Sequence, residues 1–154
     1  MIDRVRIFGA IAVFVAVSGF VLPSDARAHE GATGVVKQRM ELMKKLGSSM
    51  KTISAMVGGK IPHETATFRQ AALRIADHGG ATLTALFPKG SVHGPSEATP
   101  GIWQDWNRFS AYAEEVRLHA RALAEAADNP PEAVYRRLGK TCGGCHRDFR
   151  KKKK

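Results

Sequence analysis

Between Ile102 and Ala127, apolar residues recur at Ile102, Trp106, Phe109, Ala113, Val116, Ala120, Leu123 and Ala127, with spacings that alternate between four and three. A period near 3.5 is that of a helix with one apolar stripe; a half-buried strand needs alternation at every second residue. Such a helix is marginal alone and must cover its stripe with partners. The rest of the chain supplies them. Val36, Met40, Met43, Leu46, Met50, Ile53 and Val57 mark a first helix over about 34–57, stopped by Gly58-Gly59. Phe68, Ala72, Ile75, Leu83 and Leu86 mark a second, starting near Pro62 and closed by Phe87-Pro88, with a weak point at Gly79-Gly80. A loop rich in Gly, Pro and Ser fills 88–100. The 102–127 helix is the third, ended by Asp128-Asn129-Pro130-Pro131, and a fourth spans about 131–150 with Val134, Leu138, Cys145 and Phe149 inward. No stretch alternates in the β manner, and no segment repeats. Four amphipathic helices with two short connections and one longer one predict an all-α fold, an antiparallel four-helix bundle. A length of 154 residues with 44% hydrophobic content supplies one core and excludes a disordered polymer, a collagen-like repeat or a large multidomain enzyme.

The N-terminus does not belong to that bundle. Arg4 and Arg6 precede an apolar run from Ile7 to Leu22, and Ala26-Arg27-Ala28 has the small-x-small form of a signal-peptidase site. This is the layout of a bacterial secretory signal, and the run is short for a bilayer span. The expected division is therefore a signal peptide at 1–28 and a helical domain at 29–154. An uncleaved N-terminal anchor is the alternative. Cleavage leaves 21 Lys and Arg against 12 Asp and Glu. The expected location is the periplasm.

Chemistry concentrates near the other end. Cys142-Gly143-Gly144-Cys145-His146 is a C-x-x-C-H motif. Two thiols one helical turn apart can each add across a haem vinyl group, and the adjacent histidine can place a ring nitrogen on the iron. Gly143 and Gly144 would leave room for the porphyrin beside the helix. One covalently attached haem c per chain is expected, with Cys142 and Cys145 as anchors and His146 as the metal ligand. A thioredoxin-like redox pair would want a βαβ context, and a structural zinc site needs a fourth ligand. A plain disulfide between residues three apart in a helix would crosslink little.

The placement of this motif on the last of four helices resembles the class II cytochromes c, the cytochrome c prime family. Further elements are Arg39-x-x-x-Met43, Leu86-Phe87-Pro88, Pro100-x-Ile102-Trp103-Gln104-Asp105-Trp106 and the ending Phe149-Arg150. The resemblance covers essentially the whole chain after the signal. It implies a left-handed up-down-up-down bundle with haem near one end. It also places Met43 on the distal side of the haem. The stretch Leu42-Met43-Lys44-Lys45-Leu46-Gly47 resembles the low-spin, five-fifty-six type members, in which His146/Met43 ligation would favour electron transfer. Met43 could instead be a core gap filler among Met40, Met50 and Met56. The iron would then be five-coordinate and high-spin, open to NO or CO. By the same resemblance Arg39 pairs with a haem propionate, Arg150 contributes charge on the proximal side, and Phe87 and Trp103 pack near the haem. Solvated arginines and ordinary core aromatics are the plainer readings.

The remaining histidines, His63, His78, His93 and His119, read as surface or satisfied side chains. His29 would become the new N-terminus. The tail from Arg150 to Lys154 carries five positive charges. It is either a solvated helix end or a docking element for an acidic redox partner, with at most peripheral contact to an anionic membrane. Nucleic acid is not an expected partner of an exported protein. A homodimer through the first two helices is implied by the resemblance. No catalytic constellation is visible, so the expected function is electron carriage, with gas binding as the alternative and an enzyme disfavoured.

Overall fold

The computed structural model describes residues 32–152. The signal segment 1–28, His29 and Lys153-Lys154 lie outside the described residues. Within them the chain forms α1 (Gly34–Val57), α2 (Thr65–Asp77), α3 (Gly80–Thr84), α4 (Gly101–Gln104), α5 (Trp106–Glu125) and α6 (Glu132–Phe149). The four long segments expected from periodicity are present, and two of them are interrupted.

The first interruption separates α2 from α3. Gly80 takes φ +56°, a conformation that a side chain resists, and this breaks the helix after His78. Gly79 serves a different purpose. A Cβ there would stand 2.9 Å from the backbone nitrogen of Arg117 in α5. The bare α-carbon is what lets the second and third segments touch backbone to backbone. The second interruption separates α4 from α5. Asp105 leaves helical geometry (φ −130°, ψ 61°), and its carboxylate accepts the Arg108 backbone N–H at 3.2 Å. It is an N-cap that restarts the helix. Trp106, on the expected seam, becomes the first residue of α5 and is 40% exposed, whereas Ile102 stays buried.

Helix α1 has the expected limits but a rotated face. Its buried residues are Val36, Arg39, Leu42, Ser49, Ile53 and Met56. Met40, Met43, Leu46, Met50 and Val57 of the expected stripe are half-buried. Two polar residues, Arg39 and Ser49, lie inside, and periodicity of apolar residues cannot place them there. Gly58 and Gly59 end α1 as expected: their N–H groups reach the carbonyls of Ser54 (3.0 Å) and Met56 (3.1 Å), with Gly59 at φ +66°.

Side-chain partners set the topology. His63 and Arg69, near the start of the second segment, bond the carbonyls of Ala127 and Ala124 near the end of the third. Phe87, past the end of the second, packs on Phe109 near the start of the third. Phe109 also meets Phe149 at the end of α6, and Tyr135 near the start of α6 donates to Ser54 near the end of α1, at 3.0 Å. Each neighbour therefore runs opposite to the one before, an up-down-up-down bundle. The core has two parts. Ile53, Phe68, Ala72, Ile75, Ala120, Leu123 and Leu138 fill one end. Leu42, Leu83, Phe87, Ile102, Phe109, Ala113 and Phe149 fill the other.

Gly79→Ala should therefore push α2 and α3 off α5 and cost about 1–3 kcal/mol. Urea unfolding would read this as a lower midpoint at unchanged m-value. An unchanged midpoint would show that the crossing has slack.

Candidate haem-binding site

The last two turns of α6 carry the C-x-x-C-H motif across the junction of the two core parts. Cys142 packs against the first and Cys145 against the second. Both are half-buried. Burial pushes both thiols up, Cys145 to about 11 with the charges of Cys142 and Asp148 adding. A thiol–disulfide catalyst needs the opposite shift, so these groups do not fit the redox-pair alternative. His146 is exposed on the same stretch of α6. Partial burial of its ring and the positive charge of Arg150 lower its pKa, against an opposing effect of Glu97. The net shift favours the neutral imidazole, the form that can donate a lone pair to a metal.

The two glycines of the motif differ. Gly143 faces open space, whereas a Cβ on Gly144 would stand 2.9 Å from Tyr112 Oη and 3.0 Å from its Cε1. The room at Gly144 belongs to Tyr112, which corrects the expectation that both glycines serve a porphyrin. Tyr112 comes from α5 and donates to Asp148 Oδ2 at 2.8 Å. Arg108 pairs with the same carboxylate oxygen at 2.7 Å. The phenol's hydrogen bond, foremost, and the arginines hold Asp148 below the usual carboxylate range. Thus α5 grips the motif helix at Gly144 and Asp148, on both sides of the Cys145-His146 pair.

Helix α1 presents Arg39 and Met43 toward this end. Met43 is half-buried and packs on the same core part as Cys145. Arg39 is only 5% exposed, which rules out a solvated arginine. Its Nη2 donates to the Ser91 carbonyl at 2.6 Å and to the Ser91 hydroxyl at 3.1 Å, and its guanidinium lies 4.4 Å over the Phe87 ring. Its Nε and Nη1 are buried with no partner. Desolvation lowers its pKa accordingly. Two orphaned donors on a buried cation are costly unless an acceptor arrives. Either can donate a charge-assisted hydrogen bond to a carboxylate oxygen, so the residues present fit a haem whose propionate reaches Arg39.

Phe87 is buried beneath Arg39, and Trp103 is half-buried and donates its indole N–H to the Phe87 carbonyl at 3.0 Å. Trp103 therefore touches the site through Phe87. Arg150 lies just past α6 and pairs with Glu97 of the long loop. Of the other histidines, His63 donates to the Ala127 carbonyl across the bundle (2.8 Å) and His78 to that of Arg74 one turn earlier (2.9 Å). Sequence reasoning missed Tyr112, Asp148, Ser91 and Glu97. Tyr112 had one signal, its position three residues after Phe109 on the third helix; the loop residues had none.

In Gly144→Ala the new methyl should displace Tyr112 and cost about 1–2 kcal/mol. In a Tyr112→Ala background the same change should cost nothing or stabilise, since alanine is the better helix former. Equal costs in both backgrounds would remove Tyr112 as the reason for the glycine.

Comparison with known proteins agrees with this geometry. The family model of cytochrome c' matches residues 34–150. The cytochrome c-556 of Agrobacterium fabrum is 33% identical over 125 residues, covering 79% of this chain and 84% of that one. The cytochrome c' of Rhodopseudomonas palustris is 35% identical over 127 residues, covering 79% and 84%. A solved structure of cytochrome c' from Rhodopseudomonas palustris superposes with a TM-score of 0.70 at 31% identity, covering 80% of this chain and all of that one. The match runs from the first residue of α1 to the arginine that follows α6, so no helix of the bundle lies outside it: the chain belongs to the class II cytochromes c, the cytochrome c' family, and carries covalently bound haem c.

Proposed function

We propose that the protein is an exported one-electron carrier with His146 and Met43 as axial iron ligands. The observation that carries this reading is the convergence of Met43 from α1 and Cys145 from α6 on one apolar core part. Bound haem supplies an iron that accepts and returns a single electron with no bond made to a substrate. The residues do the rest. Cys142 and Cys145 anchor the group as thioethers. His146 gives its neutral ring nitrogen, and Met43 gives a thioether sulfur that favours the low-spin state. Arg39 binds a propionate through one of the donors left free. Phe87, backed by Arg39 and tied to Trp103, excludes water beside it. No residue is asked to act as a catalyst, so the protein is not an enzyme on this reading.

Export rests on residues 1–28 as signal peptide, with 29–154 as the haem domain and the periplasm as its location. Among the described residues no helix is long and apolar enough to cross a membrane. The electron partner is an acidic protein. Residues 132–154 hold nine Lys and Arg against two Asp and Glu, so most of the chain's +10 lies on the haem helix and its tail. Such a charge pole steers an acidic surface toward the site at salt-dependent rates. Contact with an anionic membrane through the tail would be peripheral. A homodimer through α1 and α2 belongs to the same reading.

A second reading has its own support. Met40, Met43 and Met50 are all half-buried along the flank of α1, as gap fillers would be. One solved relative is the nitric oxide complex of a leucine-to-alanine mutant of cytochrome c prime from Alcaligenes xylosoxidans. On this reading the iron is five-coordinate and binds NO or CO.

Optical spectra of the exported protein, ferric and ferrous, with and without CO, separate the two. Low-spin spectra with little CO response are expected, turning high-spin in Met43→Ala. High-spin spectra with ready CO binding would sink Met43 as ligand. Arg39→Met removes buried unpaired donors but also leaves Ser91 without its partner, so the two effects should nearly offset and the haem-free chain should change by less than about 1 kcal/mol. The same change should lower the melting temperature of the haem-loaded protein. A loss in both forms would mean that Arg39 serves the fold alone.

A further inference from the structure

One loop holds two of the cations that flank the site, Arg39 and Arg150. At one end, Ser91 accepts from Arg39 of α1. At the other, the loop pairs with the chain leaving α6. Thr99 N–H donates to the Phe149 carbonyl at 2.9 Å, Lys151 N–H to the Glu97 carbonyl at 2.7 Å, and Lys151 Nζ to the Ser96 carbonyl at 2.7 Å. Ala98 and Arg150 form an antiparallel bridge. Within this strap the Glu97 carboxylate accepts from Arg150 Nε at 2.6 Å and pairs with its Nη2. Arg150 is itself fastened one turn after His146, its N–H bonded to the His146 carbonyl at 3.1 Å.

The Glu97–Arg150 pair therefore stands at a fixed place relative to the imidazole. A cation there favours the iron state that has gained an electron, and a carboxylate disfavours it. We infer that Glu97 is a positioning residue: it pins and neutralises the Arg150 guanidinium beside His146, and so lowers the reduction potential of the haem. This inference rests on the reading of His146 as iron ligand and goes beyond it, because Glu97 touches neither the motif nor the iron.

The test is spectroelectrochemical titration of the haem-loaded protein in low salt. Glu97→Gln leaves Arg150 uncompensated and should raise the potential, changing the ferrous-to-ferric ratio at a fixed poise by ~3- to 10-fold. Arg150→Gln should lower it by a similar factor. The double variant should return close to the parent value, and Glu97→Asp should retain it. The strap's backbone bonds use carbonyls and N–H groups that Glu97→Gln preserves, so the Thr99 and Lys151 amides should keep their protection from hydrogen exchange. An unchanged potential in haem-loaded Glu97→Gln would overturn the inference, as would two shifts of the same sign. Those results would leave only a structural clip. Failure of the underlying reading looks different: the parent protein itself would lack a haem with a histidine ligand.

Discussion

Everything in this bundle is arranged around the close approach of α5 to its neighbours. Two of them meet it with a bare α-carbon, Gly79 against Arg117 and Gly144 against Tyr112. At such distances a single methyl is too large, and dispersion contacts are made by backbone as well as by side chains. The same helix fills the core at both ends, with Leu123 at one and Phe109 at the other. The haem-attachment helix is thus registered against α5 before any cofactor chemistry is considered. The grip on Asp148 through Tyr112 and Arg108 sets the helix's rotation as well as its height.

The site adds charge to this frame where charge is expensive. Arg39 lies inside with two donors unpaired and an aromatic ring below it. A fold selected for stability alone would replace it with an apolar residue. Its retention makes sense when a carboxylate-bearing group completes the pocket. On the opposite side, Arg150 is balanced by Glu97 at the surface. One cation waits for its counter-charge and the other already has it, and the same loop touches both.

Much of this was legible in the sequence. The seam at 102–127, the glycine stop at 58–59 and the bounds of α1 followed from periodicity and capping rules. The attachment motif was legible because thiol spacing and histidine placement are local demands. Other features were not. Asp105 breaks a seam that is apolar on both sides of it, and the break is an N-cap that periodicity does not see. The inward turn of Arg39 and Ser49 was hidden because the apolar stripe of α1 predicts polar residues outside. Tyr112, Ser91 and Glu97 matter through contacts with residues 36, 52 and 53 positions away in the chain.

By itself the sequence determined the four long helical segments and the place of the covalent chemistry, because each depends on residues within a turn or two of one another. Only the tertiary structure decided which face of α1 turns inward, why Gly144 is glycine and which groups neutralise which charges. Those depend on distances between segments. Such distances are set by close packing, where a methyl group or a single hydrogen bond selects among arrangements that share the same apolar pattern.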